Sequence, residues 1–227
     1  MLMMFERGIR GGITHISKRY AEANNKYMKN YDPEKKSTFI QYLDGNNLYG
    51  WAMSQNLPTH GFKWMKDITV EKVYKILDKT NHSIQYLEMG MKITAVNRGI
   101  SFYQSPWMEP YIRKNTEVRK TAANNFEKDF FKLMNNSVFG KTIENIRKRQ
   151  NIHLIDNRKK ALKLSSRPNF DRCTIFDSNL IAVHMKNTEV YFNKPVYVGQ
   201  SILDLSKSLM FDFHYNYIKN KYGKKAE

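Results

Sequence analysis

Apolar positions along the chain alternate between the two-residue period of a strand and the three-to-four-residue period of a helix. Thr38-Phe-Ile-Gln-Tyr-Leu43 is a compact apolar run with β-branched and aromatic residues, and it predicts a buried strand ending at Asp44. From Leu48 to Asn56, Leu48, Ala52 and Met53 share one helical face, and Leu57-Pro58 ends that helix. Val70, Val73, Ile76 and Leu77 give residues 69–80 the stripe of an amphipathic helix. Residues 83–89 and 91–100 contain candidate strands. Ser105-Pro106 predicts a helix opened by a serine cap with proline at its first position, running to about Ala122. A second helix is predicted from about Asn124 to Arg147, with Phe126, Phe130, Leu133, Met134 and Val138 three or four apart. The polar break at Ala123-Asn-Asn125 allows these two helices to form an antiparallel hairpin. Asn151–Ile155, Thr174–Val183 and Tyr197–Leu203 read as strands, the last of them alternatively as an extended lead-in. Asp204 or Ser206 then caps a helix to about Tyr217. The polar stretch 13–30 reads as irregular, with room for a short helix, and Asp32-Pro33 marks a turn. The fold class expected is α+β, a sheet that receives helices.

Composition narrows the partners. The 227 residues are 41% hydrophobic, enough for one sizeable core or parts of two domains. The formal charge is +17 and the isoelectric point about 9.8, so the leading partner is nucleic acid, whose phosphates neutralise such an excess; a merely solvated basic surface is the alternative. Cys173 is the only cysteine, which leaves no intrachain disulfide and points to a reducing, intracellular setting. No apolar run approaches the roughly 18 residues that cross a bilayer, so no membrane partner is expected.

Two segments about ninety residues apart carry the candidate chemistry. In Asp44-Gly-Asn-Asn-Leu-Tyr-Gly50, a carboxylate stands where a predicted strand gives way to a turn, which suits a rigidly held divalent ion or, more simply, a cap for the turn. Tyr49 can pack beneath a sugar or simply fill core. The amides near Leu48 sit at a predicted helix start, which favours phosphate. In Lys132-Leu-Met-Asn-Asn-Ser-Val-Phe-Gly140, Lys132 and Asn136 share a helix face, and Gly140 permits a close backbone approach. Lys120, beside Arg119, adds cations suited to a triphosphate, or to a solvated basic face. Lys141, Arg147, Lys148 and Arg149 continue the basic character and face either nucleic-acid backbone or solvent. Gly11-Gly12 after Arg10 is a turn or a point of close approach, and the six histidines lack metal-ligand spacing.

These segments resemble family B DNA polymerases. Asp44-Gly-Asn-Asn-Leu-Tyr49 is similar to their motif A, an aspartate followed five residues later by tyrosine. Lys132, Asn136-Ser-Val-Phe139 and Gly140 are similar to motif B, with Phe139 where tyrosine is more usual. Ile9-Arg10-Gly11-Gly12 resembles the Tyr-x-Gly-Gly element, with isoleucine in place of tyrosine. Gln104-Ser-Pro-Trp107, Asn145-Ile-Arg-Lys-Arg149 and Asp204-Leu-Ser-Lys207 resemble the protein-primed organellar and viral branch, especially polymerases of Maverick/Polinton elements.

The resemblance covers nearly the whole chain and implies a division into four parts. Residues 1–37 would end the exonuclease-to-polymerase connection, and 38–104 would be the first palm part with motif A and an insertion. Residues 105–150 would be a helical-hairpin fingers subdomain with motif B, and 151–227 the second palm part. By the same resemblance Asp44 is catalytic and, with the Gly45 carbonyl, binds metal, two Mg2+ ions being expected in the complete enzyme. Leu48, Tyr49 (the sugar gate), Arg119, Lys120, Lys132 and Asn136 would meet the dNTP. Arg10, Gly11, Gly12, Gly140 and Lys141 would lie along DNA. The implied activity is template-dependent addition of dNTPs to a primer 3′-hydroxyl, with primer–template, dNTP and a terminal priming protein as partners. A Polinton-like element implies the nucleus.

The family's third motif, which brings a second metal-binding aspartate, should follow Tyr222-Gly223-Lys-Lys-Ala-Glu227, where the sequence stops, and the exonuclease motifs should precede Ile9. The chain is therefore expected to be a palm-and-fingers fragment inactive in isolation. The alternative is a non-catalytic nucleic-acid-binding module or a decayed mobile-element relic.

Overall fold

A computed structural model describes residues 1–11, 18–77 and 92–223. Gly12, the candidate strand at 83–89 and the end of the helix expected at 69–80 lie outside them. The described chain is a mixed α+β protein with two small antiparallel sheets. It divides into two compact units, Met1–Gly140 with Val196–Glu227, and Lys141–Pro195. These boundaries do not coincide with the four-part division that the resemblance implies.

The first unit is organised by a long helix near its end. In chain order it contains α1 (Leu2–Gly8), α2 (Leu48–Met53), β1 (Leu57–Trp64), α3 (Val70–Leu77), β2 (Ile100–Ser105), α4 (Glu109–Lys120) and most of α5 (Asn125–Thr142). After the second unit come α7 (Val196–Asp212), a π-helical stretch Phe213–Lys219 and a last turn, α8 (Asn220–Tyr222). Helix α7 packs against α1, α2 and β1. Met53, Leu57, Val198 and Ile202 are the most deeply buried side chains there. Burial of each contributes about 1.5–3 kcal/mol. Beside them, Phe62 sets its ring 4.6 Å from that of Tyr197 and 5.9 Å from that of Phe5.

Several expectations are corrected. Thr38–Leu43 is not a buried strand: Phe39, Ile40, Tyr42 and Leu43 are exposed, Tyr42 by 87%. Thr38 exchanges backbone hydrogen bonds with Asn24 in an isolated bridge. The Asn24 carboxamide binds the backbone at Asp32, Lys35 and Lys36. A local polar knot therefore holds this segment. The expected helix end at Leu57-Pro58 is instead the start of β1, which pairs antiparallel with β2. Pro58 is tolerated because a two-stranded sheet has only edge strands. Gly61, at φ +73, serves the irregular register, and a Cβ there would lie 2.5 Å from the Tyr103 ring. Residues 92–99 are irregular, and the strand begins only at Ile100.

Ser105 closes β2 and caps no helix. Helix α4 starts at Glu109 with Pro110 in its first turn. Tyr197–Leu203 lies inside α7, because Gly199, Ile202, Leu203 and Ser206 recur at helical spacing on its buried face. Ser206 returns its hydroxyl to the Ile202 carbonyl at 2.7 Å, and Asp204 pairs with Lys207, so neither caps a helix.

The α4–α5 hairpin forms as expected. Asn124 accepts the Glu127 amide at 2.9 Å, and the Glu127 carboxylate accepts the Ala123 amide at 2.9 Å, a reciprocal N-terminal cap. Antiparallel partners then follow: Arg119 Nε donates to the Lys128 carbonyl, Asn115 Nδ2 to Asn135 Oδ1, and the Tyr111 hydroxyl to the Met134 carbonyl. The inward stripe of α5 is Phe131, Met134, Asn135, Val138, Phe139 and Thr142. Phe126, Phe130 and Leu133 of the expected stripe are exposed. Helix α5 ends at Thr142, and a single 3-10 turn follows at Ile146–Lys148.

The second unit contains that 3-10 turn, β3 (Asn151–Ile155), α6 (Arg158–Ser165), β4 (Phe170–Asp177) and β5 (Leu180–Met185). Its sheet has the order β3-β5-β4, all antiparallel. The single strand expected at 174–183 is thus a hairpin with a turn at Ser178-Asn179. Ile155, Ala161, Val183 and Met185 form its core, with Leu164, Phe170 and Ile181 packed against them.

Candidate nucleotide-facing site

The segment from Asp44 to Met53 is shaped by one unusual backbone residue. Asn47 adopts the left-handed conformation, φ 56 and ψ 38, and turns the chain into α2. Gly50 lacks the Cβ that would overlap the Asn47 carboxamide, so that side chain folds over the helix. Asp44 and Gly45 are exposed ahead of this turn, and a Cβ on Gly45 would lie 3.6 Å from Met210 Sδ of α7. Helix α2 is six residues long and starts from Asn47, whose side chain makes no capping hydrogen bond.

Tyr49 is the residue that joins the two sequence segments. Its ring stacks on Phe139 of α5, with centroids 4.4 Å apart and planes at 19°. Phe139 is buried and Tyr49 is 37% exposed, so the pair has one face in the fold and one edge toward solvent. Lys132, Asn136 and Phe139 lie at i, i+4 and i+7, within roughly 60° of one another around the helix. Lys132 and Asn136 are both exposed. A cation and a carboxamide therefore extend along α5 from the stacked aromatic pair. A Cβ on Gly140 would meet nothing within 4 Å, so no described residue requires glycine there.

Lys120 and Arg119 separate by role. Lys120 lines a cleft of about 410 Å3 between α2 and α4, together with Asn46, Asn47, Trp51, Arg113 and Glu117. Arg119 points its Nε at the Lys128 carbonyl, 3.2 Å away, and tightens the hairpin. Arg113, paired with Glu109 at 3.3 Å, is a cleft cation that the sequence reading missed. Counting back from Lys120 at i−3 and i−7 reaches Glu117 and Arg113, so helical spacing was the available signal.

The residues expected along DNA fall in both compact units. Arg10 and Gly11 are exposed, and a Cβ on Gly11 would touch Leu203 at 3.5 Å. Lys141, in the second unit, pairs with Glu144 at 3.2 Å. Glu144 also takes a two-point contact from Arg149, both distances 2.9 Å, and lies 3.6 Å from Lys194. The hydrogen bonds from Arg149 and Lys141 hold its carboxyl down to about 2.

Among the described residues, no three His, Cys, Asp or Glu side chains gather as a metal-binding group. Asp44 supplies one carboxylate, which is not the donor set for two Mg2+ ions. No helix of the described residues is long and apolar enough to cross a membrane. No protein-family model matches the chain, and no curated protein or solved structure matches it significantly.

Proposed function

We propose that this chain is a palm-and-fingers portion of a family B DNA polymerase, similar to the protein-primed branch, that holds a dNTP and a primer–template for addition to the primer 3′-hydroxyl. The observation that carries the reading is the Tyr49–Phe139 stack. It links the two segments on which the resemblance rests, which are about ninety residues apart in sequence.

In this reading Lys132 acts as a compact point charge toward the triphosphate, and Asn136 offers a neutral amide one turn along. Lys120 and Arg113 add positive potential at the neighbouring cleft. Tyr49, fixed from below by Phe139, presents its edge to the sugar and disfavours a 2′-hydroxyl. Arg10, Gly11, Gly12, Gly140 and Lys141 follow the DNA backbone, and a priming protein is the further partner. Asp44 would contribute to holding Mg2+, whose chemistry in phosphoryl transfer is to neutralise charge on the oxygens. The net charge of +17 favours a polyanionic partner in any case.

Equilibrium binding of Mg2+-dATP to the chain with a primer–template offering a matching thymine tests this. Lys132→Ala is expected to weaken binding at least about tenfold, the scale of a charge-assisted contact. Undiminished binding in Lys132→Ala and Asn136→Ala together would overturn the nucleotide assignment. DNA binding with no dATP binding would favour a non-catalytic module.

A further inference from the structure

The second unit carries a basic pocket that the nucleotide reading does not use. Its volume is about 280 Å3. It lies where the 3-10 turn, the start of β4 and the end of β5 converge. The sheet register explains the convergence, because His184 on central β5 faces Ile152 of β3 on one side and Arg172 of β4 on the other. Asn187 Nδ2 donates to the Arg149 carbonyl at 2.6 Å and fixes the wall of the pocket.

Five cations line it, Arg147, Lys148, Arg149, Arg172 and Lys186, against one carboxylate, Asp171. Asp171 meets Arg172 at 3.5 Å and Lys186 at 3.9 Å, both long and exposed contacts of little strength. Arg149 is held by Glu144. Lys148 has no ion pair among the described residues. The excess charge is thus local, concave and incompletely balanced.

Two aromatic residues follow its last lining residue in sequence. Val190 lines the pocket, Tyr191 follows it, and the Arg147 guanidinium lies 4.4 Å from the centre of the Phe192 ring. The Tyr191 hydroxyl donates to Glu189 at 2.7 Å, while its ring is 74% exposed. Cations in a concavity, with an exposed ring one residue past its rim in sequence, suit a single strand, whose phosphate is neutralised and whose unstacked base finds an aromatic face. Stacked bases within a duplex leave no such face available.

We propose that this pocket binds single-stranded nucleic acid, seating a backbone phosphate among Lys148, Arg172 and Lys186 and stacking a base on Tyr191. The site lies wholly within residues 141–195 and does not depend on the nucleotide assignment at Tyr49 and Lys132.

Fluorescence anisotropy of the full chain with labelled oligo-dT, over a salt series, tests it. The pair Lys148→Glu/Lys186→Glu is compared with Lys159→Glu/Lys160→Glu on α6, which changes net charge equally outside the pocket. The pocket pair is expected to weaken binding at least about tenfold and to reduce the salt slope by about 1.4, two contacts at about 0.7 each. Tyr191→Ala is expected to cost about fivefold or more. Equal weakening by the two charge pairs would overturn the site, as would a pocket pair that weakens blunt-duplex and oligo-dT binding to the same extent. Mg2+-dATP binding is expected to be unchanged in Lys148→Glu/Lys186→Glu, so failure of either assignment is visible separately.

Discussion

Tyr49 and Phe139 stack face to face at 4.4 Å, and this single contact joins the turn that follows Asp44 to the helix that carries Lys132 and Asn136. Phe139 is the buried member and Tyr49 the half-open one. Phe139→Ala is therefore expected to destabilise the first unit by about 3 kcal/mol through lost burial and the cavity left behind. Phe139→Tyr, which keeps the ring, should change stability far less. Urea denaturation monitored by circular dichroism measures both.

Tyr49→Ala should cost only about 1 kcal/mol, mainly the ring pair itself. Its larger effect is expected in discrimination. Competition between dATP and ATP should narrow in this variant, because the ring edge no longer crowds a 2′-hydroxyl. An unchanged ratio removes the sugar-gate role and leaves Tyr49 as packing.

Asn115 and Asn135 share a buried hydrogen bond of 2.9 Å across the α4–α5 hairpin. Removing one partner strands the other. Asn115→Ala or Asn135→Ala alone should each cost about 1–3 kcal/mol. The double substitution should cost clearly less than the sum, and a double-mutant cycle reads that coupling. Strict additivity would mean that the bond does not hold the hairpin.

Glu144 makes stability of the second unit depend on acid. Its carboxyl is held down to about 2 by Arg149 and Lys141, so it binds a proton less readily folded than unfolded. The contribution is full above the ordinary carboxylate range, near 4.5, and is lost as pH falls from there toward about 2. Glu144→Gln should flatten the acid limb of a denaturation-midpoint-versus-pH curve. Parallel curves for the two proteins would contradict the assignment.

Gly140 sits in α5 with open space where a Cβ would be. Gly140→Ala should raise helix stability by about 0.5–1 kcal/mol. If DNA backbone approaches this position, the same substitution should weaken primer–template binding despite the gain. Unweakened binding would remove Gly140 from the DNA path.

The elements legible in sequence were those whose burial follows from local period and punctuation. The α4–α5 hairpin is marked by Asn124 and Glu127, and β3 is short, apolar and paired in sequence register with its partner strand. Three failures share a cause. Thr38–Leu43 has strand-forming residues but is held by Asn24, and a strand exists only where a partner is presented. Leu57–Trp64 is hidden by Pro58 and Gly61, which an edge position and a register irregularity accommodate. Tyr197–Leu203 is apolar enough for a strand, whereas Val198, Gly199, Ile202, Leu203 and Ser206 together set the helical period that packing rewards.

At the site, Lys132 and Asn136 were legible from spacing and resemblance. The Tyr49–Phe139 contact was not, because it depends on tertiary placement. Arg119 and Lys120 are adjacent in sequence and diverge in role for the same reason: successive positions on a helix point about 100° apart. One tightens the hairpin and the other lines the cleft.

The most direct measurement is to irradiate the full chain with an azido-substituted dATP in the presence of primer–template and to map the modified peptide by mass spectrometry. Labelling at Tyr49 or within residues 132–140, suppressed by excess dATP and by Lys132→Ala, is the expected result. Competable labelling confined to residues 141–195 would contradict the account.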